Sequence, residues 1–334
     1  MATVDLMTGN DFFVGFGKEA TYGTFVAGKV NSYIQNMTSE SLQLKWPVNF
    51  HEYMSGSRNR LTPYRGGKQV TGDIKVAQSY EGCEWLYDAL TGGTHTYSIA
   101  GGTYQALWGF TPGSVPIGLS ISMNKDLYLF QYAGCHVTGA EFNFPNVATG
   151  ENTFNIVGAS ETAAAIETGK TYRTFVPILY TQREITFGAT PATIKTYTTA
   201  ATVKVENPMG TGLYGFTSAT QIQPAASGNQ KISGSITYLL ESTMKTGIYD
   251  VYAAGTEVEI HITCTGGTIP SSTPAATYLF QIDLPSCQLG EAGSPTGSAG
   301  TKVVEVTQPF EAFYDGTNAA MTLTVRNGNT TDIA

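Results

Sequence analysis

Charge is scarce in this sequence. Asp, Glu, Lys and Arg make up 13% of 334 residues, about half of the roughly 25% usual for soluble domains. Interface cores are depleted in charge, so this composition suits a subunit largely covered by neighbours. Basic charge is scarcer still. The formal net charge is −8, the opposite of the clustered Lys and Arg that grip nucleic acid. Such a chain remains compatible with nucleic acid that only slides past it. Long apolar runs are missing as well: no stretch approaches the roughly 18 residues of a membrane span. Met1-Ala-Thr-Val-Asp-Leu6 has neither the basic nor the apolar region of a signal peptide. The expectation is a soluble chain made in a cytosol. Cys83, Cys135, Cys264 and Cys287 include no C-x₂-C pair, which removes zinc spacing and points to reduced, buried thiols.

Chemistry-bearing motifs are absent too. His51, His95, His136 and His261 show no spacing to acids or to each other that suggests a metal site, and no G-x-S-x-G elbow occurs. Gly15-x-Gly17 lacks the third glycine and the βαβ surroundings of a nucleotide-binding loop, and reads as a strand entering a glycine turn. Glu257 and Glu259 fall two apart on one strand face, where solvent exposure explains them as well as acid–base work does. No residue is assigned to catalysis, to a cofactor or to a metal, and the chain is not expected to be an enzyme.

What is present is a repeat. Val70-Thr-Gly-Asp-Ile-Lys-Val76 returns as Ile232-Ser-Gly-Ser-Ile-Thr-Tyr238, an alternating strand with glycine in its third place. A Tyr-Asp pair follows 15 residues after each glycine, at Tyr87 and Tyr249. Cys83, Leu86, Tyr87 and Leu90 then lie on one helical face closed by Gly92, and Met244, Ile248, Val251 and Tyr252 on another closed by Gly255. Next come the alternating strands Leu119–Met123 and Val258–Ile262, the identity Tyr128-Leu-Phe-Gln131 with Tyr278-Leu-Phe-Gln281, and the cysteines Cys135 and Cys287. Five collinear landmarks imply duplication. The predicted class is all-β with one short helix per unit, and the predicted domains are 1–165 and 166–334. Ala159–Gly169, small and polar, is the expected connector.

Two stretches break the pattern. Pro47–Gly67 is polar and turn-rich, a long arm between strands, and Arg58, Arg60, Arg65 and Lys68 make it the most basic part of the chain. Long connections inside compact domains usually carry function. Gly210–Gly228 is its counterpart in the second half. Residues 94–117 form an excursion that the second half lacks, so the interval from the Tyr-Asp tyrosine to Tyr-Leu-Phe-Gln is 41 residues in one copy and 29 in the other.

The chain resembles the tail tube proteins of long-tailed bacteriophages, in their longer form with two tube domains. The resemblance rests on Gly17-Lys-Glu-Ala-Thr-Tyr-Gly-Thr24, the Gly72 and Gly234 strands, Gln308-Pro-Phe-Glu-Ala-Phe-Tyr-Asp315 and Met321-Thr-Leu-Thr-Val-Arg-Asn327, and it spans nearly the full length. It implies two tandem β-sandwich-like domains whose sheets join those of neighbours in a ring-shaped β-barrel. It further implies a homotrimeric ring with pseudo-sixfold symmetry, stacked into a tube in the virion tail. The implied partners are further copies of the chain, tape measure and tail terminator or tip proteins, and viral DNA passing through the lumen without specific binding. It places contacts with the next ring on the arm, here Arg58, Arg60 and Arg65.

Three other readings fit parts of the composition. A capsid decoration or neck protein would share the low charge without stacking into rings. A cell-surface or carbohydrate-binding module would need a concave aromatic patch, for which Tyr97–Phe110 is the candidate. An enzyme would need a nucleophile, base or metal constellation.

Overall fold

Period-two alternation of apolar and polar residues dominates the sequence, and the chain folds accordingly as an all-β protein. The computed structural model describes residues 12–27, 33–52, 59–60, 62–92, 95–110, 117–125, 128–166, 170, 172–188, 192–193, 198–240, 248–270, 272–291 and 304–329. The first half contains β1 (Phe13–Lys18), β2 (Tyr33–Ile34), β3 (Met37–Glu40), β4 (Gln43–Lys45), β5 (Val48–Phe50), β6 (Pro63–Arg65) and β7 (Gln69–Ala77). Helix α1 (Glu84–Thr91) follows, then β8 (His95–Ala100), β9 (Thr103–Gly109), β10 (Leu119–Lys125), β11 (Tyr128–Phe144), β12 (Glu151–Gly158) and β13 (Ser160–Ala164). The second half holds β14 (Arg183–Phe187), β15 (Ala192–Thr193), β16 (Thr198–Glu206), β17 (Lys231–Leu239), α2 (Asp250–Ala254), β18 (Val258–Thr268), β19 (Thr277–Leu289), β20 (Glu305–Ala312) and β21 (Thr322–Asn327).

Two long strands organise the topology, because each belongs to two layers. The first part of β11 pairs with β10 and β13, and its last part with β12 and β16. In the same way β19 pairs first with β18 and β21, then with β20. Each strand changes layer at a bulge, where the register slips between Leu119 and Ile121 in one copy and between Val258 and Ile260 in the other. A bulge bends the strand that carries it, which lets one strand serve both layers. Gly134, at φ 67°, lies in the first bend, where a side chain would meet Ala159 and Tyr22.

The inner layer runs β3/β4–β7–β12–β11–β16–β17–β20–β19 across both halves of the chain. Its apolar face carries Val70, Ile74, Val76, Phe142, Phe154, Val203, Val205, Ile232 and Ile236, all buried. This face belongs to one core cluster that also includes Val14, Phe16, Ile121, Ile260 and Ile282 from the second layer. The repeated glycines lie on it. A Cβ at Gly72 would fall 2.5 Å from the carbonyl oxygen of Ser41, and one at Gly234 2.2 Å from that of Thr202. Each glycine therefore permits close approach of a neighbouring backbone, the β3–β4 connection at Gly72 and β16 at Gly234, as the repeat suggests.

Helix α1 starts where Glu84 opens a run of apolar positions, and stops at Gly92 in the left-handed conformation. Helix α2 stops the same way at Gly255. Of its predicted apolar face, Ile248, Val251 and Tyr252 are among the described residues, and Met244 lies outside them. Two expectations change. The excursion after α1 is no free loop: β8 and β9 form a hairpin, and β9 pairs with β21 at the far end of the chain. The expected connector begins as a strand, since Ser160–Ala164 pairs with Leu129–Ala133 of β11. Its small residues fit an edge strand lying flat against a neighbour, which a composition-based reading cannot tell from a linker.

Candidate functional site

Directly opposed residues share a face of a sheet, so the register fixes what the outer side of the inner layer displays. Thr71, Asp73 and Lys75 of β7 align with Val157, Asn155 and Thr153 of β12. Glu141 and Asn143 of β11 lie beside Lys204 and Thr202 of β16, which in turn face Ser233 and Ser235 of β17. Glu311, Pro309, Thr307 and Glu305 of β20 complete the surface. It is mainly polar. The carboxylates Asp73, Glu141, Glu151, Glu206, Glu305 and Glu311 outnumber Lys45, Lys75, Lys204 and Lys231.

Three of these lysines are held by glutamates. Lys204 Nζ lies 2.6 Å from Glu206, Lys75 Nζ 3.7 Å from Glu151 and Lys231 Nζ 3.6 Å from Glu311. Hydrogen bonding between Lys204 and Glu206 raises the lysine pKa and lowers that of the glutamate. Exposed pairs of this kind add little stability. Their effect here is local neutralisation of cations on a face that stays negative.

Two arms leave the same end of the layer, because β7 and β17 run parallel through three intervening strands. The first is a hairpin of β5 and β6, exposed along both strands. The second spans residues 207–230 and touches the first: Lys68 N donates to Ala219 O at 2.8 Å, and the Tyr214 ring occupies the space a side chain at Gly67 would need. Trp46, Val48, Phe50, Tyr64, Leu213, Phe216 and Ile222 are exposed on these arms. Of the arginines singled out in the sequence, Arg58 lies outside the described residues. The Arg60 guanidinium stacks 5.0 Å from the Phe50 ring, and that of Arg65 4.9 Å from the Trp46 ring. Arg65 Nη1 also donates to Trp46 O at 3.2 Å. Both arginines thus brace the arm and extend its aromatic surface with a cation.

The second half resembles the first in strand pairing, with β19 placed as β11 is. The family model described as phage tail tube protein matches residues 9–312. The chain belongs to the phage tail tube protein family. No curated protein matches the chain. Membership makes this a structural protein of the phage and places it in the virion tail. Among the described residues no helix is long and apolar enough to cross a membrane.

Reactive groups in this tail tube protein are built into the framework. All four cysteines are free and buried, and burial pushes the thiols of Cys264 and Cys287 up to about 12. Among the described residues no cluster of three His, Cys, Asp or Glu has the geometry to hold a metal. Two histidines do find acids. His95 Nδ1 lies 2.8 Å from Asp88, and His261 Nδ1 2.6 Å from Asp283 with Nε2 3.5 Å from Glu259. The hydrogen bond that His261 donates to the Asp283 carboxylate raises the His261 pKa. The Glu259–His261 partnership was readable as i and i+2 on one strand face; Asp283 required the β18–β19 register. A cavity of about 170 Å³ at the other end of the layer is lined by Phe144, Val147, Tyr180, Arg183 and Ile262 among others, with no carboxylate, histidine or cysteine.

Proposed function

We propose that this chain is the major tube subunit, that three copies close a ring with pseudo-sixfold symmetry from two tube domains each (1–165 and 166–334), and that stacked rings form the channel through which viral DNA leaves. The polar face of the inner layer carries this reading. Its reverse is buried in the core, so the polar side is the one a ring would turn toward its lumen. There, lysines paired with glutamates and an excess of carboxylates repel phosphate and leave no row of free cations for DNA to grip. Among the described residues no strand pairs with the far edge of β3 and β4, and closing the layer through further copies would remove that edge.

The two arms, with Arg60 and Arg65 backing exposed aromatics, are assigned to contacts with the next ring. Tape measure and terminator or tip proteins are the expected partners inside and at the ends of such a tube. Electron microscopy of the purified full-length protein tests the reading. Rings averaging to threefold symmetry with six similar lobes are expected. A persistent monomer at high concentration, or a ring of six whole chains, would overturn it.

A further inference from the structure

Equivalent residues of the two halves have different surroundings, and the difference points to a partner. Strand pairing fixes the equivalence. Leu119 opposes Cys135 as Val258 opposes Cys287, Ile121 opposes Tyr132 as Ile260 opposes Leu284, and Lys125 opposes Tyr128 as Cys264 opposes Phe280. Tyr128 therefore occupies in the first half the place of Phe280 in the second. Counting from the repeated glycines, Tyr249 takes the place of Tyr87.

Within the chain, Tyr87 and Phe280 meet across the junction of the halves. Their ring centroids are 6.1 Å apart, and they are 2% and 1% exposed. All eight residues of α1 are buried beneath this junction. Asn327 and Asn329 of the second half hold the Glu84 carboxylate at its start, at 2.7 and 3.0 Å, and Asn207 Nδ2 donates to Leu90 O near its end at 2.9 Å. None of the residues of α2 is buried. Tyr249 is 57% exposed and Tyr128 56%. One pair of positions is covered where the two halves pack together, and the equivalent pair is open.

We propose that Tyr249 of one copy packs against Tyr128 of the next, reproducing between chains the Tyr87–Phe280 contact within the chain. The occupant of both surfaces is a second copy of this chain. The contact is heterologous: the two surfaces differ, so each copy uses one to hold the copy ahead and the other to hold the copy behind, and the series closes when the rotation allows. This inference rests on the ring-forming reading, for which it names the lateral contact.

The test uses full-length protein with Tyr128→Cys and Tyr249→Cys, a short bismaleimide cross-linker and denaturing electrophoresis. The native thiols are buried and do not compete. Covalent dimers and trimers are expected from the double variant, and dimers alone from an equal mixture of the two single variants. Neither single variant by itself should cross-link. Self-cross-linking of a single variant would mean an isologous contact and overturn the inference. So would rings, visible by microscopy, that yield no cross-linked product. Absence of rings from the wild-type protein would instead remove the ring-forming reading itself. Tyr249→Arg provides a second route at an exposed position. It should leave the monomer's melting temperature unchanged and weaken association by about tenfold or more, the range for truncating a central interface aromatic. Undiminished association would count against the contact.

Discussion

Replacing Gly234 with alanine adds one methyl group at a crowded point of the inner layer. That methyl would lie 2.2 Å from the Thr202 carbonyl oxygen and 2.4 Å from Cζ of Phe310, more than 1 Å inside the roughly 3.5 Å contact distance. Neither neighbour yields freely. Thr202 belongs to β16, which is paired on both sides, with β11 and β17. Phe310 is buried in the core directly opposite Gly234. Overpacking of this kind costs about 2–3 kcal/mol. For a chain of this length each kcal/mol moves the melting temperature by about 2 °C, so a drop of about 4–6 °C is expected by calorimetry at fixed protein concentration. Combining Gly234→Ala with Phe310→Ala should recover part of the loss, because the second change removes one of the two clashing groups. A coupling of about 1 kcal/mol in a double-mutant cycle is the corresponding magnitude. Gly267→Ala is the control, since nothing lies within 4 Å of a Cβ there. A Gly234→Ala melting temperature within 1 °C of both wild type and control would refute the close-approach reasoning.

Other consequences follow from named groups. Burial, then the charge of Glu84, raises the Glu81 pKa from 4.5 to about 7. The folded state thus keeps a proton that the unfolded state has lost, and this contribution to stability falls as pH rises from about 4.5 to about 7; Glu81→Gln should flatten the melting-temperature profile across that window. Tyr87→Ala opens a void among Trp108, Phe142, Phe154 and Phe280, and a loss of about 3–5 kcal/mol in denaturant unfolding is expected. Charge reversal at Glu141 and Glu151 converts the polar face into a cationic one. The double lysine variant should retard DNA on native gels in a salt-sensitive way where wild-type protein does not; failure to bind would count against this face lining the channel.

The repeat disclosed the fold class and its periodicity, because alternating burial leaves a direct mark on sequence. The polar face was legible in the same way: Asp73, Lys75, Ser233 and Ser235 occupy the alternate positions of the repeated strands. Pairings between distant segments were not. Nothing local to Thr103–Gly109 says that it joins Thr322–Asn327, and nothing in Ser160–Ala164 distinguishes an edge strand from a connector. Such contacts are decided by which edge the rest of the fold leaves open. The braced arginines show a related limit. Arg60 and Arg65 read as cations available to a neighbour, yet the arm's own Phe50 and Trp46 claim their guanidinium groups first.

The most literal match between the halves is also the one out of register. Tyr128-Leu-Phe-Gln131 and Tyr278-Leu-Phe-Gln281 are identical, but strand pairing places Tyr128 with Phe280 rather than with Tyr278. A shift of two residues keeps every side chain on its own face of the strand, so the alternation survives and sequence alone gives no warning. What changes is the neighbour. The cysteines, by contrast, follow the bulges and remain equivalent, since Cys135 opposes Leu119 at the start of β10 as Cys287 opposes Val258 at the start of β18. The bulge is a backbone feature that fixes where each long strand changes layer, and residues tied to it hold their place while identities further along the strand drift. Equivalence along the paired strands is therefore set by hydrogen-bond register, and only on that register does Phe280 of the buried Tyr87–Phe280 contact map onto the exposed Tyr128.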